Sequence, residues 1–520
     1  MNVTDHSFSA PGVKDAPAAP NASPAAVRRP DALRLAQQYA ALPEDRRALF
    51  RARARAQGLD VDTLPVVPLS PRPARFPLLF AQERLWFLWC LDPHHAGYHI
   101  THTLRLTNAL DVDALHRALR QLVRRHEALT LRFDADEGVP TQYPAPDASY
   151  GFVQHTLADD EATLAEALRD FACEPFDLVN GPVLRVALFE TGGQGCVLQF
   201  VVHHIVADAW SMNVLFSDLL AFYRGADNLS PLPVQLADVA VWQREWSAND
   251  LLERQIGYWR ERLDGAPAAL TLPRDVPPRA TRSHDGGLVR LSIPAALAEP
   301  LREIARSRRT TLFTVMLAVF DVLLYRYSGQ RTIVVGVPTA GRGRTELEGL
   351  VGFFVNTLIV RADLAGGQPF DTLLRTVHER VLEAQAHQDV PFARLVEALA
   401  IERNLDSSPL FQVMFDLATD AADKTQAQSA RTAGNSPLAV ESILDVAPTA
   451  RFDLALNAQD RGAGGTLQLA LTYSRDRFVE ATAQRMLDDY VELLEQVAAE
   501  PQRNVGDLAC LLYTSPSPRD

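Results

Sequence analysis

Regular apolar spacing begins near Asp31, and the stretch before it has none. Residues 1–30 are rich in Ala, Pro and Ser and are expected to form a disordered tail. Leu35, Tyr39 and Leu42 then recur at helical spacing, with Asp31 placed to cap the run and Pro43 to stop it. A second helix is predicted from about Glu44 to Gln57, closed by Gly58. It carries five arginines, which suit either a solvated linker helix or a docking element. The proline-rich stretch PVVPLSPRPARFP marks a boundary, so residues 31–75 are expected to be a helical appendage with its linker.

Beyond it, helical and strand patterns mix in two halves of similar size. DALHRALRQLVRRHEAL reads as an amphipathic helix, CVLQFVVHH and RTIVVGVP as buried strands. Met486, Tyr490, Leu493, Leu494 and Val497 share one face of a last helix. An N-terminal lobe over 76–237 and a C-terminal lobe over 287–509 are expected, joined by a crossing segment, 238–286, that ends in the exposed LPRDVPPRATRSHDGG. The polar, Ala-rich stretch Thr419–Ser436 is expected to be a mobile loop. Two αβ halves leave a cleft between them, a usual place for a substrate site. The end, Cys510–Asp520, does not continue the preceding pattern. It resembles a translated sequencing adapter, so the natural gene is expected to run on past 509.

Composition narrows the classes. With 520 residues, 47% hydrophobic and 22% charged, the chain is a multi-lobed globular protein of ordinary make-up. It has no apolar run long enough to span a bilayer and no signal-peptide pattern, so a cytoplasmic setting is the default expectation. Cys90, Cys173, Cys196 and Cys510 are scattered, without the spacing of a disulfide framework or a zinc site. A net charge of −13 is a poor match for a phosphate backbone, so nucleic-acid binding is set aside.

The sharpest chemical feature is VVHHIVADAWSM, in which His203 and His204 end a predicted strand, with Asp208 and Ser211 following. Four readings compete. Successive strand residues face opposite ways, which hinders a shared metal ion, and no nearby Cys or Glu completes a ligand set. Two structurally satisfied histidines are the plainest reading of an isolated HH. A Ser-His-Asp hydrolase calls for a nucleophile elbow such as GxSxG, which the chain lacks. The fourth is an acyltransferase: one imidazole faces the cleft and acts on an incoming nucleophile, the other packs behind, and Asp208 closes the turn against an arginine.

HHIVADAWS resembles the HHxxxDGxS signature of the condensation domains of nonribosomal peptide synthetases, in the chloramphenicol-acetyltransferase-like superfamily. Further segments resemble that family in order: FAQERLWFL, RRHEALTLRF, FDLVNGPVLR, ADVAVWQ with Trp242, VGFFVNTLIVR with Asn356 and Thr357, HQDVPFARLV and SSPLFQVMF. The set is most similar to the subtype that joins an L-donor to an L-acceptor. Heterocyclisation and epimerisation domains match less well.

The resemblance implies an α/β fold of two chloramphenicol-acetyltransferase-like lobes in a V shape, with the active site in a tunnel between them. It implies amide-bond formation between a donor thioester and an acceptor amine, both carried on phosphopantetheine arms of partner carrier domains. His204 is the implied catalytic residue, as a general base or a positioning group. His203, Asp208, Ala209 and Ser211 support it, and Trp242 and Asn356 are tunnel or lobe-interface candidates. His126 and His387 are expected to pack or hydrogen-bond. The domain is expected to need no cofactor or metal of its own. The donor carrier is expected in trans, near an appendage whose arginines suit an acidic partner; adenylation and acceptor carrier domains are expected downstream in the natural chain. Chain-starting N-acylation with a fatty acyl donor, a free-standing acyltransferase with a soluble acceptor and a catalytically silent carrier-binding scaffold are the alternatives. The chain departs from the pattern at Ala209, where the family has Gly, at Thr130, where it has Arg, and at Leu236 and Val239, where it has aromatic residues. With Thr130 unable to serve, Arg125 is the first candidate to pair with Asp208.

Overall fold

The computed structural model describes residues 29–508 apart from 60, 107–109, 146–148, 158–159, 192–194, 227, 248–249, 278–284, 400–409, 420–439 and 444–449. The expected tail up to residue 28, nearly all of the expected loop at 419–436, and the segment 510–520 lie outside the described residues. Two compact units form, Met1–Ser70 and Pro71–Asp520.

In the first unit, α1 (Arg29–Ala40) and α2 (Glu44–Ala56) enclose a small core of Ala36, Ala54, Val61 and Leu64, with Leu35, Tyr39 and Phe50 packed on it. Two of the arginines work inside this unit. Arg47 donates to the Ala40 and Leu42 carbonyls, and Arg51 donates to the Tyr39 hydroxyl at 2.9 Å.

The second unit begins with β1 (Phe76–Pro77), α3 (Phe80–Leu91), β2 (His99–Leu106), α4 (Val112–Arg125), β3 (Leu131–Asp136), β4 (Val139–Pro144), β5 (Gly151–Leu157), α5 (Glu161–Cys173), β6 (Leu184–Thr191), β7 (Gly195–His203) and α6 (Ala209–Tyr223). It crosses through α7 (Leu236–Ser247) and α8 (Asp250–Leu263). It continues with β8 (Gly286–Ile293), α9 (Ala295–Ser307), α10 (Leu312–Ser328), β9 (Thr332–Thr339), β10 (Asn356–Asp363), α11 (Phe370–Ala386), α12 (Phe392–Ala398), β11 (Val413–Thr419), β12 (Val440–Ile443), β13 (Leu454–Asp460), β14 (Leu467–Ser474) and a last helix, Glu480–Ala499.

The local chemistry explains these elements. In α4 the Asp111 carboxylate caps the Ala114 N–H at 2.9 Å, and Leu115, Ala118, Leu119 and Leu122 line the buried face. Mostly apolar, α10 is buried from Thr314 to Leu324, with Asp321 among the buried residues; Thr311 caps its start, and Gly329, at φ 67°, ends it in the left-handed conformation. No single helix among the described residues is long and apolar enough to cross a membrane.

Two mixed sheets form the lobes, in the orders β12-β2-β7-β6-β5 and β10-β9-β11-β13-β14-β8, with a small third sheet, β1-β4-β3. The halves are less separate than the apolar pattern suggests. β12, from the C-terminal half, pairs antiparallel with β2 in the N-terminal sheet. In the other direction, Leu252, Ile256, Trp259 and Leu263 of α8 bury themselves in the C-terminal core, so this part of the crossing segment belongs to that lobe's packing.

Candidate active site

β7 places the histidine pair. Its register with β2 sets His203 opposite His99, and the strand ends there. His203 is buried, its ring edge-on to those of His99 and Phe176, and its Nδ1 accepts the Ile205 N–H at 3.1 Å. Burial holds its imidazole well below the ordinary histidine range.

One residue on, the chain turns into a 3₁₀ segment and His204 takes a different setting. Its Nδ1 lies 2.8 Å from the Ala207 carbonyl. A carbonyl only accepts, so Nδ1 carries the proton and the neutral ring leaves a lone pair on Nε2. The ring packs edge-on to Phe353, with centroids 4.8 Å apart. Burial, then the positive charge of Arg451, pull its pKa down to about 3. His204 is thus an unprotonated base at neutral pH, in the fixed tautomer that proton acceptance through Nε2 requires.

The turn is propped from α3. Gln82, fully buried, donates to the Ile205 carbonyl at 2.9 Å, while its own oxygen accepts the Leu79 N–H at 2.9 Å. FAQERLWFL therefore holds the loop that carries His204.

Asp208 belongs to a separate network. It caps α6, its Oδ1 accepting the backbone N–H and the hydroxyl of Ser211, both at 2.7 Å. Arg342 reaches it from the loop after β9, with Nη2 at 3.1 Å from Oδ1. The same guanidinium donates to the Leu347 and Leu350 carbonyls at 2.6 and 2.8 Å, and lies over the Phe354 ring. The Phe354 N–H donates to Asp208 Oδ2 at 3.2 Å, and the Ser211 hydroxyl oxygen, its proton given to Asp208, accepts the Gly352 N–H at 3.1 Å. Two buried, opposite charges thus clamp the start of α6 to the C-terminal half. Gly341, just before Arg342, has φ 64° and a Cβ there would meet the Phe354 carbonyl oxygen at 2.0 Å, so only glycine fits that turn.

This corrects the pairing expected for Arg125. Its Nε donates to Asp218 at 2.7 Å and its Nη1 to the Ser230 carbonyl. Asp218 lies ten residues beyond Asp208 on α6, about 15 Å along the axis at 1.5 Å per residue. Arg125 and His126, whose Nε2 is 2.9 Å from the same carboxylate, therefore tie α4 to α6 at the far end of that helix. The other candidates divide. Trp242 sits half-buried on α7 with the Arg344 guanidinium 4.6 Å from its ring centre, a contact between the crossing helices and the loop that carries Arg342. Asn356 instead stays within its own lobe: its amide donates to the Gln388 and Val390 carbonyls and its oxygen accepts the Phe392 N–H, so these bonds shape the HQDVPF loop. His387 stacks on Tyr258 at 3.7 Å. Ala209 opens α6, exposed and without positive φ, so a methyl group is accommodated there without strain.

Sequence reasoning missed Gln82 and Arg342. The first sits in a motif that resembles the family but carries no mark of its own. Arg342 lies 134 residues from its carboxylate partner, with no local pattern to reveal it.

Residues 74–515 match the family model described as the condensation domain. A linear gramicidin synthase polypeptide of Brevibacillus parabrevis is 42% identical over 447 residues, covering 84% of this chain and 6% of that protein. Phosphinothricin tripeptide synthetase PhsC of Streptomyces viridochromogenes is 38% identical over 490 residues, covering 92% of this chain and 44% of that protein. The chain thus spans a minor part of the length of these relatives. Among solved structures, the X-domain in its complex with OxyB from teicoplanin biosynthesis superposes with TM-score 0.77 at 31% identity, covering 86% of this chain and 98% of that one. Matched over most of its length by the family model and superposing on that fold, the chain belongs to the condensation domain family.

Proposed function

We propose that this chain joins a carrier-bound donor acyl or peptidyl thioester to the amine of a carrier-bound aminoacyl acceptor, with His204 as the residue at the reacting nitrogen. The observation that carries the reading is the imidazole itself: tautomer fixed by Ala207, neutral, its Nε2 uncommitted among the described residues. In the reaction the acceptor nitrogen attacks the thioester carbonyl, the C–N bond forms, and the C–S bond breaks. The nitrogen's proton passes to Nε2 and on to the departing thiolate, leaving an amide and a free thiol. Holding both ends together is worth up to about 7–11 kcal/mol of the barrier, and general-base help a further roughly 10²–10⁴-fold. Neither contribution needs a covalent enzyme intermediate. Phosphopantetheine arms of separate carrier domains bring the substrates. An elongating role with L-configured partners fits the motif set better than a chain-starting one.

The likeness to the X-domain bound to OxyB favours one second reading, a platform that binds partners without turnover. The two readings separate in one assay. The protein is mixed with a donor-loaded and an acceptor-loaded carrier, and the acceptor is examined by mass spectrometry for the added acyl group. Amide product that depends on both carriers supports condensation. Tight carrier binding with no product at any loading supports the platform, and product from an acyl coenzyme A alone supports a starter.

A further inference from the structure

The His204 imidazole has a neighbour that the reading above leaves without a task. Phe353 lies in the C-terminal half, between β9 and β10, and its ring packs edge-on to the imidazole, with centroids 4.8 Å apart and planes at 68°. The residue is half-buried and takes no part in the apolar core of its own lobe. Core packing therefore does not explain its placement, and the contact with His204 does.

The backbone on either side of Phe353 is fastened to the start of α6. The Gly352 N–H donates to the Ser211 hydroxyl oxygen at 3.1 Å, and the Phe354 N–H donates to Asp208 Oδ2 at 3.2 Å. The Phe354 ring lies under the Arg342 guanidinium, 4.4 Å away, and that guanidinium holds the same carboxylate. A little upstream, the Trp210 indole N–H donates to the Glu348 carbonyl at 2.8 Å. Phe353 stands between two residues bonded to the Asp208–Ser211 pair, so the direction in which its side chain leaves the backbone is fixed, and that direction leads to His204.

The imidazole has need of such a stop. Its ring is bonded at Nδ1, to the Ala207 carbonyl at 2.8 Å. A ring held at one nitrogen can still turn about its bond to Cβ. Such a turn swings Nε2 away from the reacting nitrogen and takes Nδ1 off its carbonyl, after which either nitrogen can carry the proton. A second ring packed edge-on, a favoured geometry for an aromatic pair, obstructs that turn. Reacting groups need to be held within about 0.5 Å of their working positions by packing of this kind, and a misplacement of about 1 Å can cost about a hundredfold in rate.

Resting on the proposed role of His204, we propose that Phe353 is a positioning residue for the reaction: a ring delivered by the Asp208–Ser211 clamp that holds the imidazole in the orientation and tautomer that leave Nε2 open to the amine. The clamp then serves the chemistry as well as the fold, and it does so through Phe353.

The test uses the full chain with Phe353→Ala, Phe353→Leu and Ser211→Ala. The ring nitrogens of His204 are followed by ¹⁵N-histidine NMR at pH 8, assigned by their loss in His204→Ala. Their shifts separate a protonated from a bare nitrogen by far more than the ring current of a neighbouring phenyl group can move them. Single-turnover condensation is measured alongside over a range of loaded-carrier concentrations. In wild type, Nδ1 is expected to be protonated and Nε2 bare. In Phe353→Ala the two shifts are expected to move toward each other, and the limiting rate to fall by about tenfold or more, with little change in half-saturation. Phe353→Leu, which keeps apolar bulk against the imidazole, is expected to recover most of the rate. Ser211→Ala, which releases Gly352, is expected to move the same nitrogens, and adding Phe353→Ala to it to cost less than in wild type, because both act along one path. Wild-type nitrogen shifts in folded Phe353→Ala overturn the proposal whatever the rate; a lost rate with unmoved nitrogens would put Phe353 against substrate instead. A wild-type His204 with its proton on Nε2 also overturns it, a measurement that needs no variant of Phe353 to fold. If the nitrogens move as expected but His204→Ala condenses at the normal rate, the hold of Phe353 on the ring stands and the assignment of His204 as base falls.

Discussion

His204 and Asp208 lie four residues apart in one motif, yet the structure treats them in opposite ways. Asp208 is saturated: the Ser211 N–H and hydroxyl, the Phe354 N–H and Arg342 all bond to it, and both members of the ion pair are almost fully buried. His204 has one bond, at Nδ1, and its other nitrogen is uncommitted among the described residues. A saturated group has no lone pair to offer a substrate and a large penalty for being disturbed. An uncommitted one has little structural role and all of its reactivity available. The signature thus joins two functions that chemistry keeps apart, a reacting base and a clamp that seats its loop against the opposite half.

The comparison breaks most visibly at the clamp. Asp208→Ala leaves Arg342 as a buried charge without its partner, and such losses typically cost about 3–5 kcal/mol. Chemical denaturation should show that loss, with Arg342→Met losing less than the Asp208 variant because the remaining carboxylate keeps the Ser211 and Phe354 donors. Equal stability of wild type and Asp208→Ala, with activity lost, would move Asp208 into the chemistry and erase the contrast.

Gln82 tests the support beneath His204. Gln82→Ala leaves the Leu79 N–H and the Ile205 carbonyl without partners, an expected cost of about 1–3 kcal/mol. Turnover should fall more steeply than stability alone explains, because the turn carrying the base loosens. A variant that melts early but keeps the wild-type rate at low temperature would show that Gln82 only supports the fold.

A subtler effect lies in acid. His99 is held down to about 4, His204 to about 3 and His203 well below its ordinary value, chiefly by burial. Below about pH 6.5 the unfolded chain binds protons that these folded rings refuse, so each costs stability as pH falls, by up to about 1.4 kcal/mol per pH unit. His204→Ala should therefore match wild-type stability at pH 8 and show a shallower decline between about pH 6.5 and 4. Parallel declines would mean that the folded ring takes up protons as readily as the unfolded one.

Local periodicity carried much of the fold. The apolar rows of α4 and of the last helix, and the apolar-rich runs of β7 and β9, are legible because each element's neighbours in sequence define its buried face. The site was legible where chemistry is contiguous, from His203 to Ser211. It was illegible where partners come from afar. Choosing Arg342 over Arg125 as the mate of Asp208 depends on the course of the loop after β9, and nothing in either arginine's neighbours encodes that course. The return of β12 to the N-terminal sheet is likewise a long-range pairing of four residues, too short to announce itself.

The central claim, that the uncommitted imidazole does the chemistry while the saturated carboxylate holds the fold, is tested most directly by the single-turnover rate of His204→Ala with donor-loaded and acceptor-loaded carriers, with its melt at pH 8 recorded alongside. The account predicts a rate lowered by about a hundredfold or more at an unchanged melting temperature. A rate within a few-fold of wild type in a normally folded variant would contradict it.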